Sequence, residues 1–239
     1  MCTVSFSPRP DGYVLGMNRD EKLTRVAGLS PARRQVEGRT ILSPSEPGGG
    51  TWIGVNDAGT CFALINWYSV GARVDVNPAS RGMVVNGTIT TDSPEQTAGR
   101  FAALPLACLN PFRLIGIFPR SREVVEWRWN LQRLEPCVHP WAANTWISSG
   151  LDEPGAQETR GKVFRESLLA PDAGSLEWVR RLHRSHAPAR GAYSTCMHRD
   201  DASTVSYTEI ALSSPRAVMR HSSGSPCCAT LSSEHWIKL

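Results

Sequence analysis

"MCTVSFSPRPDGYVLGMNRDE" runs from Met1 to Glu21. Two stretches rich in β-branched and apolar residues, 3–7 and 12–17, flank "PRPDG", whose proline, aspartate and glycine mark a turn, so the segment predicts a hairpin. Cys2 lies directly behind the initiator methionine, and its small size favours removal of Met1. A chain that begins at Cys2 carries a thiol and a free α-amine on one residue. The amine, with an ordinary pKa of about 7.7–8.0, can accept the proton of a thiol whose ordinary pKa is about 8.5. Nucleophile and base then share one residue. The cluster Asn18-Arg19-Asp20-Glu21 closes the second strand. Alternation along an extended strand places Asn18 and Asp20 on one side and Arg19 on the other.

Further along, "GGGTWIGVNDAGTCFALINW" (Gly48–Trp67) reads as two apolar strands around Asn56-Asp57-Ala58-Gly59, a second hairpin ending at Asn66. "DSPEQTAGRFAAL" opens a helix, with Ser93 as N-cap, Pro94 at the first position and Gln96 completing a capping box. "RLIGIF" and "EVVEWRW" form another strand pair, "GKVFRESLLA" and "GSLEWVRRLHR" are helical, and "TVSYTEIAL" and "RAVMRHS" close the chain as strands. Strands and helices come in blocks rather than in strict alternation, which predicts an α+β fold in a single domain over 1–239. The glycines of "EPGGGTW" (Glu46–Trp52) cannot form a phosphate cradle. No Gly-Lys-Ser/Thr follows them and a strand, not a helix, comes next. They read as a mobile loop bordering a site.

Composition narrows the function. The chain has 239 residues, 41% hydrophobic and 20% charged, with a formal net charge of +4. That is ordinary globular composition, and the apolar runs are too short to span a bilayer. No signal peptide is evident, so the expected location is the cytoplasm. The basic stretch "RRLHRSHAPAR" (Arg180–Arg190) carries no nucleic-acid motif, and Leu176, Val179 and Leu182 recur at helical spacing, so its arginines read as a solvated helix face. Seven cysteines at 2, 61, 108, 137, 196, 227 and 228 lack framework spacing and are read as reduced thiols. Cys196 and His198 share one strand face, but no second ligand pair lies nearby in sequence. The expectation is therefore no metal and no cofactor.

"NRDE" behind Met-Cys, "GGTWIGVNDAG", the strand ending at Asn66, and "SRG" (Ser80–Gly82) together resemble the NRDE, or transport-and-Golgi-organisation, family. That family in turn resembles the N-terminal-nucleophile cysteine hydrolases, such as bile-salt hydrolases and penicillin V acylases. The resemblance implies an αββα four-layer sandwich that cuts a C–N amide bond of a small molecule, or transfers its acyl group, through a thioester. It implies Cys2 as nucleophile, Asp20 as the acid beside it, Asn66 in the oxyanion hole and Arg160 in support. Asn18, Arg19, Trp52 and Ser149 are the expected substrate-binding or supporting residues. Where those hydrolases have an arginine three residues before the aspartate this chain has Met17, and near their second oxyanion asparagine it has Ser148 and Ser149. Eukaryotic relatives bring a second reading, a non-catalytic haem or lipid binding protein in which Cys2, His139 or His198 would be ligand candidates. The partner expected is a small-molecule amide, with neither nucleic acid nor a membrane span, and association of like copies stays open.

Overall fold

A computed structural model describes all residues 1–239. The predicted first hairpin is present as β1 (Cys2–Arg9) and β2 (Gly12–Lys22), joined at Pro10-Asp11 with Cys2 directly opposite Arg19. The second is β5 (Ile53–Asn56) and β6 (Cys61–Asn66). In its turn the Asn56 side-chain oxygen accepts the N–H groups of Ala58 (2.9 Å) and Thr60 (3.1 Å), and Gly59 takes φ +79°. An Asx turn followed by a left-handed glycine is the chemistry that Asn-Asp-Ala-Gly encodes.

Two antiparallel sheets contain every strand. The remaining strands are β3 (Leu29–Val36), β4 (Arg39–Ser45), β7 (Phe112–Phe118), β8 (Glu123–Trp129), β9 (Leu134–His139), β10 (Asn144–Ser148), β11 (Ala202–Ser213), β12 (Arg216–Ser223) and β13 (His235–Lys238). The first sheet has the order β10-β1-β2-β11-β12-β13, and the second runs β3 to β9 in sequence order. Val4, Phe6, Leu15 and Met17 from the first sheet pack on Leu42, Val55, Ala63 and Ile115 from the second in a core between the sheets. Burying each such side chain contributes roughly 1.5–3 kcal/mol relative to exposure.

Helices cover both outer faces. Two helices, α1 (Gly82–Thr88) and α2 (Pro94–Arg100), lie outside the second sheet, where Val84, Val85 and Ile89 join Phe62 and Phe112. Helices α3 (Glu153–Ser167) and α4 (Leu176–Arg184) lie outside the first, with Phe164, Trp178, Val179 and Leu182 packed on Val14. The architecture is the expected α+β, αββα sandwich. Ser93 caps α2 by accepting the Gln96 N–H, whereas the Gln96 side chain reaches back to the N–H of Asp92 rather than of Ser93. Helix α3 begins eight residues earlier than "GKVFRESLLA" suggested, capped by Asp152 with Pro154 in its first turn. No helix is long and apolar enough to cross a membrane.

Candidate active site

Hairpin register positions Cys2. It lies opposite Arg19 on one side and Ser148 on the other, so all three are cross-strand neighbours near one end of the first sheet. Like Val4 and Phe6, Cys2 faces the second sheet. There it borders a cleft of about 270 Å³, together with Arg19, Trp52 and Asn66 and the loop residues Ser80 to Gly82. The Cys2 N–H donates to Ser148 Oγ at 3.0 Å, so of the two serines in "NTWISSG" it is Ser148 that holds the nucleophile candidate. Ser149 Oγ instead touches the Met1 sulfur at 4.0 Å.

Arg19 and Asp20 are on opposite faces, as alternation requires, but the assignment of faces is reversed from expectation. Arg19 shares the cleft with Cys2: its guanidinium stacks 4.5 Å over the Trp52 ring and donates to Glu46 Oε1 at 2.5 Å. Asp20 points to the helix layer and makes no hydrogen bond to Cys2. Its oxygens accept from Arg160 Nη1 (3.2 Å) and Thr204 Oγ1 (2.6 Å). Arg160 lies inside α3 and is buried, and the same Nη1 donates to Thr3 Oγ1 at 2.7 Å. Asp20 and Arg160 therefore stand directly behind β1, one residue from Cys2.

Asn18 does not reach the cleft. Its Nδ2 donates to the backbone carbonyls of His183 (2.9 Å) and Thr195 (2.8 Å), which ties β2 to the end of α4 and the following loop, and its Oδ1 is buried without a partner. Asn66 does line the cleft, and its Nδ2 donates to Tyr68 Oη at 2.7 Å. Tyr68 and Ser69 are in turn held by the Glu153 carboxylate through their backbone N–H groups (3.3 and 2.6 Å).

Met1 remains over the site. Its carbonyl accepts the Asp20 N–H at 2.8 Å and its amine donates to the Asp20 carbonyl at 3.0 Å, extending the ladder by one residue. Met1, Glu21 and Arg25 border both the Cys2 cleft and a second one, of about 350 Å³, bordered also by Tyr68, Gly150 and Arg199. Burial pushes the Cys2 thiol up, the nearby amine opposes this, and the Asp20 and Glu21 carboxylates add to it. With Met1 in place the thiol is shielded and its pKa is held above the ordinary range.

Two contributors were missed from sequence. Arg81, in "SRG", borders the cleft with Nη1 on the Pro111 carbonyl (3.1 Å) and no carboxylate partner, and burial lowers its pKa. Arg19 and Arg25, by contrast, are each paired with Glu21 and Glu46. Gly82 lets the glycine loop approach α1: a Cβ there would stand 2.9 Å from Gly50 Cα and from the Thr51 nitrogen. The one sequence signal for either residue was the "SRG" stretch, and the Gly50–Thr51 backbone that Gly82 meets is distant in the chain.

The family model described as Transport and Golgi organisation 2 matches residues 1–151. The chain belongs to the Transport and Golgi organisation 2 family. Residues 1–151 include Cys2, Asp20, Asn66 and Arg81, but not α3 and Arg160. A comparison with curated proteins gives no significant match. Among solved structures, this family member is similar to a mutant of conjugated bile acid hydrolase from Clostridium perfringens, at 9% identity and TM-score 0.55, covering all of this chain and 92% of that one. A second variant of the same hydrolase aligns at 7% identity and TM-score 0.55 with 100% and 96% coverage. Penicillin V acylase from Agrobacterium tumefaciens aligns at 10% identity and TM-score 0.55 with 100% and 86% coverage. At such identities the likeness is one of fold alone.

Proposed function

We propose that this chain is a cysteine amidohydrolase that cleaves a C–N amide bond of a small molecule after loss of Met1, with acyl transfer as the variant in which an amine replaces water. The observation that carries the reading is the placement of Cys2 at the strand end that borders the cleft, its nitrogen already held by Ser148. Removal of Met1 would free the α-amine, release the Asp20 backbone groups and open the wall that Met1 shares with Glu21 and Arg25 between the two clefts.

In the proposed cycle the Cys2 thiol proton passes to the α-amine as sulfur bonds to the amide carbonyl carbon. The carbonyl oxygen gains negative charge and takes donors from the cleft, with Asn66 Nδ2 the candidate once it turns from Tyr68; one such donor is typically worth about 2.7–4 kcal/mol of barrier. The C–N bond breaks as the ammonium returns its proton to the departing amine. Water then adds to the thioester, gives up a proton to the α-amine, and leaves an acid and the regenerated thiol. Asp20 and Arg160 act as positioning residues behind β1, holding Thr3 and so the first strand. Arg81, the cleft cation without a carboxylate, would take an anionic group on the substrate.

Intact mass and labelling test this together. Chain lacking Met1 should alkylate at Cys2 near neutral pH faster than chain that retains it, and should turn over members of an amide library that a Cys2→Ala variant does not. Equal labelling in both forms, with Cys2→Ala leaving every turnover signal unchanged, would overturn the reading.

A further inference from the structure

Sequence supplied two metal-type ligands, Cys196 and His198, and no second pair. The fold supplies the other two. His186, from the loop after α4, places Nε2 3.1 Å from His198 Nε2. His198 Nε2 also lies 3.5 Å from Cys196 Sγ and 3.6 Å from Cys227 Sγ, which arrives from the segment after β12. All four ligand atoms lie within 4.8 Å of one another. Tetrahedral zinc, with bonds of about 2.3 Å to sulfur and 2.0–2.1 Å to nitrogen, requires ligand–ligand edges of roughly 3.3–3.8 Å. The three short separations fall close to that range.

We infer that Cys196, His198, His186 and Cys227 form a Cys2His2 site for a soft divalent cation of the zinc type. Cys196 is buried and the other three are half-buried, so the centre is shielded yet reachable from solvent. Binding releases two thiol protons, and two thiolates neutralise the dication. His198 would ligate through Nε2 and carry its proton on Nδ1. Arg190, which now lies 3.4 Å from that Nδ1, is exposed and must swing away. The remaining His-containing cluster, Glu126, Cys137 and His139, is a poorer candidate because Arg113, Arg128 and His139 already pair with Glu126.

Such a site would be structural. It joins two segments that no sheet ladder connects, 185–198 and 225–228. Between its cysteine and histidine, Met197 donates its N–H to Thr204 Oγ1 at 2.8 Å, and that hydroxyl holds Asp20. The metal would thus fix the loop that orients Asp20. This goes beyond the hydrolase proposal and does not depend on it.

The test uses reduced, full-length protein and Co2+ or Zn2+ alone. One equivalent of Co2+ should give the visible bands and sulfur charge-transfer absorption of a tetrahedral thiolate site, and Zn2+ should displace it. Loss of an outer partner of a metal ligand costs about 10–100-fold in affinity, so Cys227→Ser and His198→Ala should each weaken Zn2+ at least about 100-fold. Cys228→Ser and Cys137→Ser should leave it unchanged. Should Cys196→Ser fail to fold, half-buried Cys227 and His186 keep the test open. Absence of tetrahedral cobalt bands, affinity insensitive to Cys227→Ser and His198→Ala, or a thiol count showing Cys196 and Cys227 joined as a disulfide in the purified protein would each overturn the site. Because the readouts are metal stoichiometry and absorption, they do not move with amidase activity.

Discussion

Arg160 Nη1 lies 3.2 Å from Asp20 Oδ2, and neither side chain is more than 1% exposed. The pair links α3 to the end of β2 across 140 residues of sequence and sits behind the strand that carries Cys2. The pair offsets the cost of burying two charges only in part, since Arg160 Nε has no hydrogen-bond partner, yet removing one partner of such a pair leaves an uncompensated buried charge and typically costs about 3–5 kcal/mol. Arg160→Ala should therefore destabilise the protein by about that amount in urea unfolding. Asp20→Asn with Arg160→Met, which leaves no uncompensated charge, should recover much of the loss. A single-variant cost under about 1 kcal/mol would show that the pair does not hold β1 and β2 to the helix layer.

The glycine loop makes a second prediction. Gly82 Cβ would meet backbone on the opposing loop at 2.9 Å, so neither neighbour can rotate away. Gly82→Ala should cost about 1–3 kcal/mol, the usual penalty for overpacking, and should widen the Cys2 cleft. Gly99, in α2, has nothing within 4 Å of its would-be Cβ, and Gly99→Ala should stabilise by up to about 0.5–1 kcal/mol. Thermal or urea unfolding of the two variants in parallel checks both signs, and equal shifts would refute the close-approach argument.

Local signals carried much of this architecture. The β1–β2 and β5–β6 hairpins, the cap of α2 and the helical stripe of α4 were legible because turn residues and apolar period act over a few positions. β3, β9 and β10 were not: their burial is partial and their sequences, such as "LSPARRQV" and "LEPCVH", lack clean alternation. The position of Asp20 shows a different limit. Alternation separates Arg19 from Asp20, but only the register that sets Cys2 opposite Arg19 says which of them shares its face. The Cys2His2 cluster was illegible for a further reason, since His186 and Cys227 reach Cys196 only after β11 and β12 fold back on each other.

Substrate charge should be read by Arg81. It borders the cleft without a carboxylate partner, and a hydrogen bond to a charged group contributes about 1.5–3 kcal/mol. For an anionic amide substrate, Arg81→Met should raise KM about tenfold or more while kcat changes little, the pattern of lost uniform binding. A neutral substrate of the same shape should show no such change. If kcat falls instead and KM holds, Arg81 acts on the transition state rather than on substrate binding.

Acid sensitivity should be set first by two buried histidines. Burial, with the Arg160 charge adding to it, lowers the His183 pKa to about 3, and burial, with Arg19 and His235 adding, lowers that of His221 to about 4. Above an unfolded pKa of about 6.5 neither state binds the proton, so these residues make stability independent of pH there. As pH falls below that value the unfolded chain takes protons that the folded chain refuses. Stability then drops by up to about 1.4 kcal/mol per pH unit for each histidine, until its folded pKa is reached. Glu126, which burial alone would push up, is held well below the usual carboxylate range by His139, Arg128 and Arg113, and its contribution is lost only below about pH 4.5, the ordinary glutamate region. The interval from about pH 4.5 to 6.5 therefore isolates the histidines. Neither ring nitrogen of His183 has a hydrogen-bond partner and the ring packs 5.2 Å from Tyr207, so His183→Phe preserves the contact without stranding a donor. Urea unfolding across this interval should show a slope for His183→Phe smaller by close to one proton than for the unsubstituted chain. An unchanged slope would mean that His183 takes up its proton in the folded state and that its burial is incomplete.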